Sequence, residues 1–177
     1  MNAKFIPDKT NNYNVYVGTA SKANRIVGVT DEIGLINLQN LSETLNLAGS
    51  AGEFDSPTVG QYKSIEIEIP FTNISKRMLQ IAANDALPLI FRSAQEFINP
   101  ETLAKEMVNR TTTIRGMTKA INFGKLKKSG YGNPSITKEV TYYKEVVDGE
   151  VVTEIDKLNG PVIIDGVEIT KAISDYI

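Results

Sequence analysis

Residues 136–157, ITKEVTYYKEVVDGEVVTEIDK, decide how this chain folds. Asp148-Gly149 stands between two runs of β-branched and aromatic residues. That dipeptide signals a hairpin, because a two-residue type I′ turn needs positive φ at both positions. Such a turn pairs Val147 with Glu150. Counting outward sets Val146 against Val151, Tyr142 against Ile155 and Val140 against Lys157. On the other side Glu145 meets Val152, Tyr143 meets Glu154 and Thr141 meets Asp156. Strand alternation then gathers Val140, Tyr142, Val146, Val151 and Ile155 on a mostly apolar face. Glu139, Glu145, Glu150, Glu154 and Asp156 fall on the opposite face. No two of these acids are directly opposed, so the worst like-charge pairing is avoided. An acidic face of this kind either keeps a solvated sheet from aggregating or repels a polyanion.

Outward from the hairpin, residues 63–69 give the cleanest alternation. Lys63, Ile65, Ile67 and Ile69 point one way and Ser64, Glu66 and Glu68 the other. Pro70 ends this ladder, having no N–H to donate. Residues 13–17 and 25–30 read as short strands, and 87–91 as a compact apolar one. Residues 35–47 are apolar at irregular intervals and carry no firm assignment. Residues 48–60, with Gly49, Ser50, Gly52, Ser56, Pro57 and Gly60, read as a loop. Loops this long inside compact domains are functional or disordered.

Residues 73–84 read as a helix capped by Asn73, with Ile74, Met78, Leu79 and Ala82 as its apolar stripe. Asn99-Pro100-Glu101 is a helix-start signal. Thr111 to Ile114 is β-branched and pulls toward strand. A helical turn giving way to a strand satisfies both. Residues 124–134 form a loop carrying Lys125, Lys127 and Lys128. A turn begins at 157–160, and 162–169 reads as two extended pieces around Asp165-Gly166. Local, turn-linked strands favour an antiparallel, mainly β (α+β) domain.

The chain has 177 residues, a size for a single domain spanning 1–177. It contains no His, Cys or Trp. Lack of His removes the usual general base near neutral pH and any Ser-His-Asp arrangement. Lack of Cys removes thiolate nucleophiles and thiolate zinc sites. Carboxylate chemistry stays open, since Glu66 and Glu68 lie ~7 Å apart at the backbone on one strand face. No substrate cleft is suggested beside them. The expectation is no enzyme, no cofactor and no metal. Net charge is −2 and the sequence pI about 5.3, so general attraction to nucleic acid or anionic membrane is not indicated. The stretch Met1 to Asp8 lacks the apolar run of a signal peptide, and no stretch approaches a membrane span. Arg110, Arg115, Lys119, Lys125, Lys127 and Lys128 cluster between the acidic elements. A subunit with separate acidic and basic regions can attract copies of itself head to tail.

Three stretches, in order, resemble the major tail tube proteins of contractile-tailed bacteriophages and related phage-tail-like particles. The first is 71–94, a short helix followed by Ala-Leu-Pro-Leu-Ile-Phe-Arg. The second is Ile114-Arg115-Gly116, then Lys119 and Gly124. The third is Thr141-Tyr142-Tyr143 running through Asp148-Gly149 to Glu154-Ile155-Asp156, with Asn159 and Asp165-Gly166-Val167. The loop at 48–60 also sits where such proteins carry a long Gly-rich loop. Together these cover most of 13–170. The resemblance departs at 99–109, where a helix-start signal stands in place of a strand.

The resemblance implies two packed antiparallel sheets, sandwich- or barrel-like, with a flanking short helix. It implies six copies in a ring, rings stacked into a hollow tube inside a contractile sheath, and an acidic lumen through which DNA slides. Lumen-facing candidates are then Glu66, Glu68, Glu139, Glu145, Glu154 and Asp156. Candidates for ring-to-ring contact are Gly49, Ser50, Gly52, Glu53, Phe54 and Asp55, with the C-terminal segment 160–177 as a further contact element. Basic inter-subunit candidates are Arg110, Arg115 and Lys119. Implied partners are further copies of the chain, the tail sheath, tape measure, baseplate or initiator, and terminator proteins, with DNA as non-specific cargo and no membrane. The implied location is the virion tail tube, assembled in the bacterial cytoplasm. Alternatives are the tube of a headless R-type-like bacteriocin, a secretion-system tube ring and, in a different class, a monomeric β-sandwich binding module.

Overall fold

A computed structural model describes residues 5–176. The first four residues of the Met1 to Asp8 stretch, and Ile177 at the end of the C-terminal contact segment, lie outside the described residues. Antiparallel strands dominate. Strand β1 (Ile6–Val17) and the short β2 (Arg25–Ile26) are followed by β3 (Asn40–Leu45), β4 (Phe54–Tyr62) and β5 (Glu66–Pro70). Helix α1 (Lys76–Ala83) leads to β6 (Leu89–Ile98), β7 (Lys105–Asn122), β8 (Ser135–Val147) and β9 (Glu150–Asp156). The chain ends through β10 (Val162–Ile164), β11 (Val167–Glu168) and α2 (Lys171–Ser174).

The main sheet runs β11-β10-β9-β8-β7-β6-β1-β2, and β5 joins β8 as a branch. β8 is the hinge of this arrangement. Its first half pairs β5 from Ser135 to Glu139, and its second half pairs β9 from Tyr142 to Val147. The sheet also returns on itself. After β2 the chain reaches β5 through a bridge between Val29 and Phe71. Thr30 N–H donates to Pro70 O at 3.2 Å and Thr72 N–H to Gly28 O at 2.8 Å. The path β5-β8-β7-β6-β1-β2 is thereby closed into a barrel, which removes sheet edges along that path.

The antiparallel, mainly β fold with a flanking helix is as expected. Its two layers belong to a single curled sheet, and among the described residues only the β3–β4 ribbon stands apart. A continuous core shows the curl: Ile65, Ile67 and Ile69 from β5 share one cluster with Val15 from β1, Phe91 from β6 and Ile114 from β7. Removal of this apolar surface from water is the main stabilising term.

The hairpin at Asp148-Gly149 forms as read, with φ of 52° and 84° at the two turn positions. Its register holds only for Val147–Glu150 and Val146–Val151. Glu145 then pairs with Thr153, which leaves Val152 as an extra residue, and Tyr143 rather than Tyr142 pairs with Ile155. A second extra residue, Thr141, interrupts β8 where Arg115 pairs Tyr142 but Gly116 pairs Val140. Each bulge inserts one residue and so exchanges the two faces beyond it. Tyr143 therefore enters the core and Tyr142 turns outward with Lys144.

Three further expectations change. Ser75, not Asn73, caps α1: its hydroxyl accepts from Met78 N–H at 3.1 Å. The buried stripe is Met78, Ile81 and Ala82, while Ile74 and Leu79 remain exposed. Asn99-Pro100-Glu101 starts no helix. The Asn99 side chain accepts from the N–H groups of Glu101 and Thr102, and the chain turns from β6 straight into β7. An Asx turn and a helix N-cap use the same side-chain acceptor, which is why the local signal reads either way. Residues 48–60 are a loop only as far as Glu53, since β4 begins at Phe54 and pairs back to β3.

Candidate assembly surfaces

The outward face of β5, β8 and β9 follows from the residues buried between its members. Ile67 and Ile69 face the core, so Glu66 and Glu68 face away. Lys138 and Val140 are buried, so Glu139 points out. Ile155 is buried, so Glu154 and Asp156 point out. Glu145 does not join them. It lies on the Tyr143 side, accepts from the Tyr143 hydroxyl at 2.9 Å and pairs with Arg110.

Most of these acids are engaged. Glu66 pairs with Lys119, Glu154 with Lys144 at 3.1 Å and Glu139 with Lys157 at 3.4 Å. The hydroxyl of Ser64, the Ile65 N–H and Lys157 hold the Glu139 carboxyl below the usual carboxylate range despite partial burial. The Tyr142 hydroxyl, donating at 2.7 Å, and Lys144 do the same for Glu154. Burial pushes Asp156 up, but bonds from Asn159 and from the Leu158 N–H outweigh it and leave the carboxyl lowered. Burial together with the Glu154 carboxylate pushes the Tyr142 hydroxyl up to about 12, so it stays a proton donor throughout neutral pH. The face is a mesh of carboxylates and cations in which Glu68, among the described residues, has no ion pair and no side-chain hydrogen bond.

The three basic candidates on β7 are likewise occupied inside the subunit. Arg110 holds Glu145, Lys119 holds Glu66, and the Arg115 guanidinium lies 5.6 Å from the centre of the Tyr142 ring. That distance and placement fit a cation–π contact. The cross-strand pairing was not legible from the β8–β9 stretch alone, because the cations reach these acids from β7, from the turn after β9 and across the bulge.

The ring-to-ring candidates sit on the β3–β4 ribbon. Gly49, Ser50, Gly52 and Glu53 form its connection, where Ser50 hydroxyl donates to Leu47 O at 2.8 Å, and Phe54 and Asp55 open β4. All six residues of β3 are exposed, and Phe54 retains 54 % exposure. A two-stranded ribbon of this kind buries too little to be stable alone in water. Its base is anchored by the Lys63 N–H to Gln39 O bond at 2.9 Å. Gly60, at φ 71°, packs so closely on Thr170 that an added Cβ would come within 2.4 Å of its methyl. The ribbon and the C-terminal segment thus meet at one edge of the barrel.

Past the closed part of the barrel, β1, β6 and β7 continue as a three-stranded wing. Residues 6–12 of β1 and 105–108 of β7 form its outer edges, and no strand among the described residues pairs with their outward side. A cluster holds the wing together: Glu96 accepts from Lys105 at 2.6 Å and from the Asn11 amide at 2.6 Å, and Lys105 also reaches Asp8 at 3.1 Å.

Among the described residues no helix is long and apolar enough to cross a membrane, and no group of three or more Asp or Glu is placed to hold a metal ion. The described chain is a mainly β barrel with a projecting exposed ribbon and an open-edged wing. The chain belongs to the phage tail tube protein FII family, whose model matches residues 7–176. That family is structural. No curated protein matches the chain. One solved structure with a similar chain is described as the sheath/tube terminator of an extracellular contractile injection system (PVC) in the extended state. It has 10 % identity and a TM-score of 0.49, over 77 % of this chain and 94 % of that one.

Proposed function

We propose that the chain is the repeating subunit of a contractile-tail tube: copies join side by side into rings, implied to be hexameric, and rings stack into a hollow tube through which DNA passes. The observation that carries this reading is the closed barrel with two exposed extensions, a wing with unpaired edges and a ribbon with no core of its own. Each extension is an incomplete structure in a monomer and a complete one in an assembly. Edge strands left open are aggregation templates; paired with the next copy they become a heterologous contact that closes into a ring. The ribbon at 40–62 and the C-terminal segment then serve as ring-to-ring contacts, and the whole described chain acts as one tube unit.

The carboxylate face of Glu66, Glu68, Glu139, Glu154 and Asp156 is the lumen lining in this reading. Ion pairs neutralise part of it, and Glu68 and Asp156 supply the excess negative charge that keeps a polyanion from adhering. Assembly would engage a sheath on the outside, a tape measure within, and initiator and terminator proteins at the ends, in a virion built in the host cytoplasm. Electron microscopy of the purified chain tests the proposal. Rings or regular tubes are expected, and a strictly monomeric species at every concentration and salt would sink it.

A further inference from the structure

Charge is segregated along this chain. Between Arg25 and Lys63 there are five acids and no Lys or Arg; between Glu106 and Glu139 there are seven Lys or Arg and no acid. Internal pairs consume Arg110, Lys119 and Lys138, and Arg115 lies on Tyr142. Among the described residues Lys125, Lys127 and Lys128 of the 123–134 loop have no ion-pair partner. On the ribbon, Glu43 and Glu53 are equally free, while Asp55 is held by the Thr44 hydroxyl at 2.6 Å.

Both elements also expose apolar side chains. Register places Glu43, Leu45 and Phe54 on one face of the ribbon. The loop exposes Phe123 and Tyr131 at 59 and 70 %, with Leu126 fully in solvent. The loop is nevertheless built rather than slack. Lys125 N–H donates to Gly132 O at 2.9 Å and Gly132 N–H to Thr72 O at 3.0 Å, which ties the base of the loop to the end of β5. An ordered loop that shows three large apolar groups ringed by lysines presents a docking site for an acidic, apolar partner.

We infer that the partner is the β3–β4 ribbon of another copy: the Glu43–Leu45–Phe54 face docks on the 123–134 loop of the adjacent subunit, carboxylates on lysines and apolar side chains between them. This rests on the tube reading and names the acceptor of its ring-to-ring contact. The two patches differ and lie on one chain, so the contact is heterologous and propagates. It also supplies the burial that the ribbon lacks.

Charge reversal tests it. One variant carries Lys125→Glu, Lys127→Glu and Lys128→Glu; the other carries Glu43→Lys and Glu53→Lys. All five side chains are exposed, so circular dichroism should match the wild type. Each variant alone should lose sedimentable polymer, and an equimolar mixture should recover it, because each then offers the charge the other lacks. Polymerisation of either variant as well as wild type, or a folded mixture that stays unassembled, overturns the contact. The chain has no Cys, so Phe54→Cys with Leu126→Cys gives a clean second readout. Oxidation should yield a ladder of covalent multimers. A monomer-sized product alone, or dimers from the Phe54→Cys single variant, overturns the proposal. Wild type that never assembles would overturn the tube reading with it, whereas wild-type tubes indifferent to reversal overturn only this contact.

Discussion

Val29 and Phe71 form the antiparallel bridge at which the strand path returns on itself. Phe71 is 1 % exposed and packs in the central cluster, so one residue serves both the closure and the core. Phe71→Ala should cost about 3–5 kcal/mol. Chemical denaturation of the dissociated subunit checks this, and a loss below about 1 kcal/mol would mean the closure relaxes without it.

Lys138 sits on the buried face of β8, and its ammonium reaches Asp85 at 2.7 Å and the Thr118 hydroxyl at 3.0 Å. Asp85 also accepts from the Thr118 N–H at 3.0 Å, which ties the segment after α1 to β7. Asp85→Ala leaves the buried ammonium without its carboxylate and should destabilise by about 1–3 kcal/mol. Lys138→Met, which removes the charge and keeps the volume, should cost far less. Equal losses in thermal unfolding would show packing rather than pairing at work.

Acid should weaken the fold in a defined direction. Burial raises the Asp85 carboxyl, but the Lys138 and Thr118 bonds outweigh it and leave it lowered; Glu96, Glu139, Glu154 and Asp156 are lowered too. A carboxylate lowered in the folded state stabilises above its unfolded value of about 4 and loses that contribution as pH falls through the folded value. Stability should therefore be flat near neutrality and drop below about pH 4. A pH titration of the unfolding midpoint reads this, and a midpoint unchanged down to strong acid would contradict it.

Gly116 allows β7 to approach β8 at the Thr141 bulge. A Cβ there would lie 2.2 Å from the Glu139 carbonyl oxygen. Because that neighbour is backbone, Gly116→Ala should cost about 1–3 kcal/mol and perturb the face that carries Glu139 and Tyr142. Unfolding together with the fluorescence of the neighbouring tyrosines would report both effects.

Among the described residues Glu68 is the lumen candidate with neither an ion pair nor a side-chain hydrogen bond, so its reversal tests the lining with least damage to the fold. Glu68→Lys should leave rings and tubes intact and slow DNA ejection from assembled particles. Lost ring formation would instead assign Glu68 to an interface between subunits.

Much of the fold is carried by short-range chemistry. Asp148-Gly149 and Asp165-Gly166 accept positive φ at low cost, so their turns are legible from the residues alone. The alternation at 65–69 names a buried face because period two has no other solution on a half-buried strand. The candidate surfaces were only partly legible. Glu66 and Glu68 face outward as read, but Glu145 does not share that side. Two inserted residues, Thr141 and Val152, exchange the faces, and a bulge leaves no mark in residue type when the flanking residues are all strand formers. The β3–β4 ribbon was also hidden, since its turn-rich composition resembles a loop and no core face imposes alternation on it.

The hairpin at 136–157 therefore carried, by itself, the fact of pairing, the turn and the antiparallel class, because these depend on φ preferences and neighbours in the chain. Only the tertiary structure decided which side chains face inward past the bulges, which cations meet which acids, and that the sheet closes at Val29 and Phe71. Those outcomes join residues tens of positions apart, where packing of one core against the whole curled sheet overrides any local count.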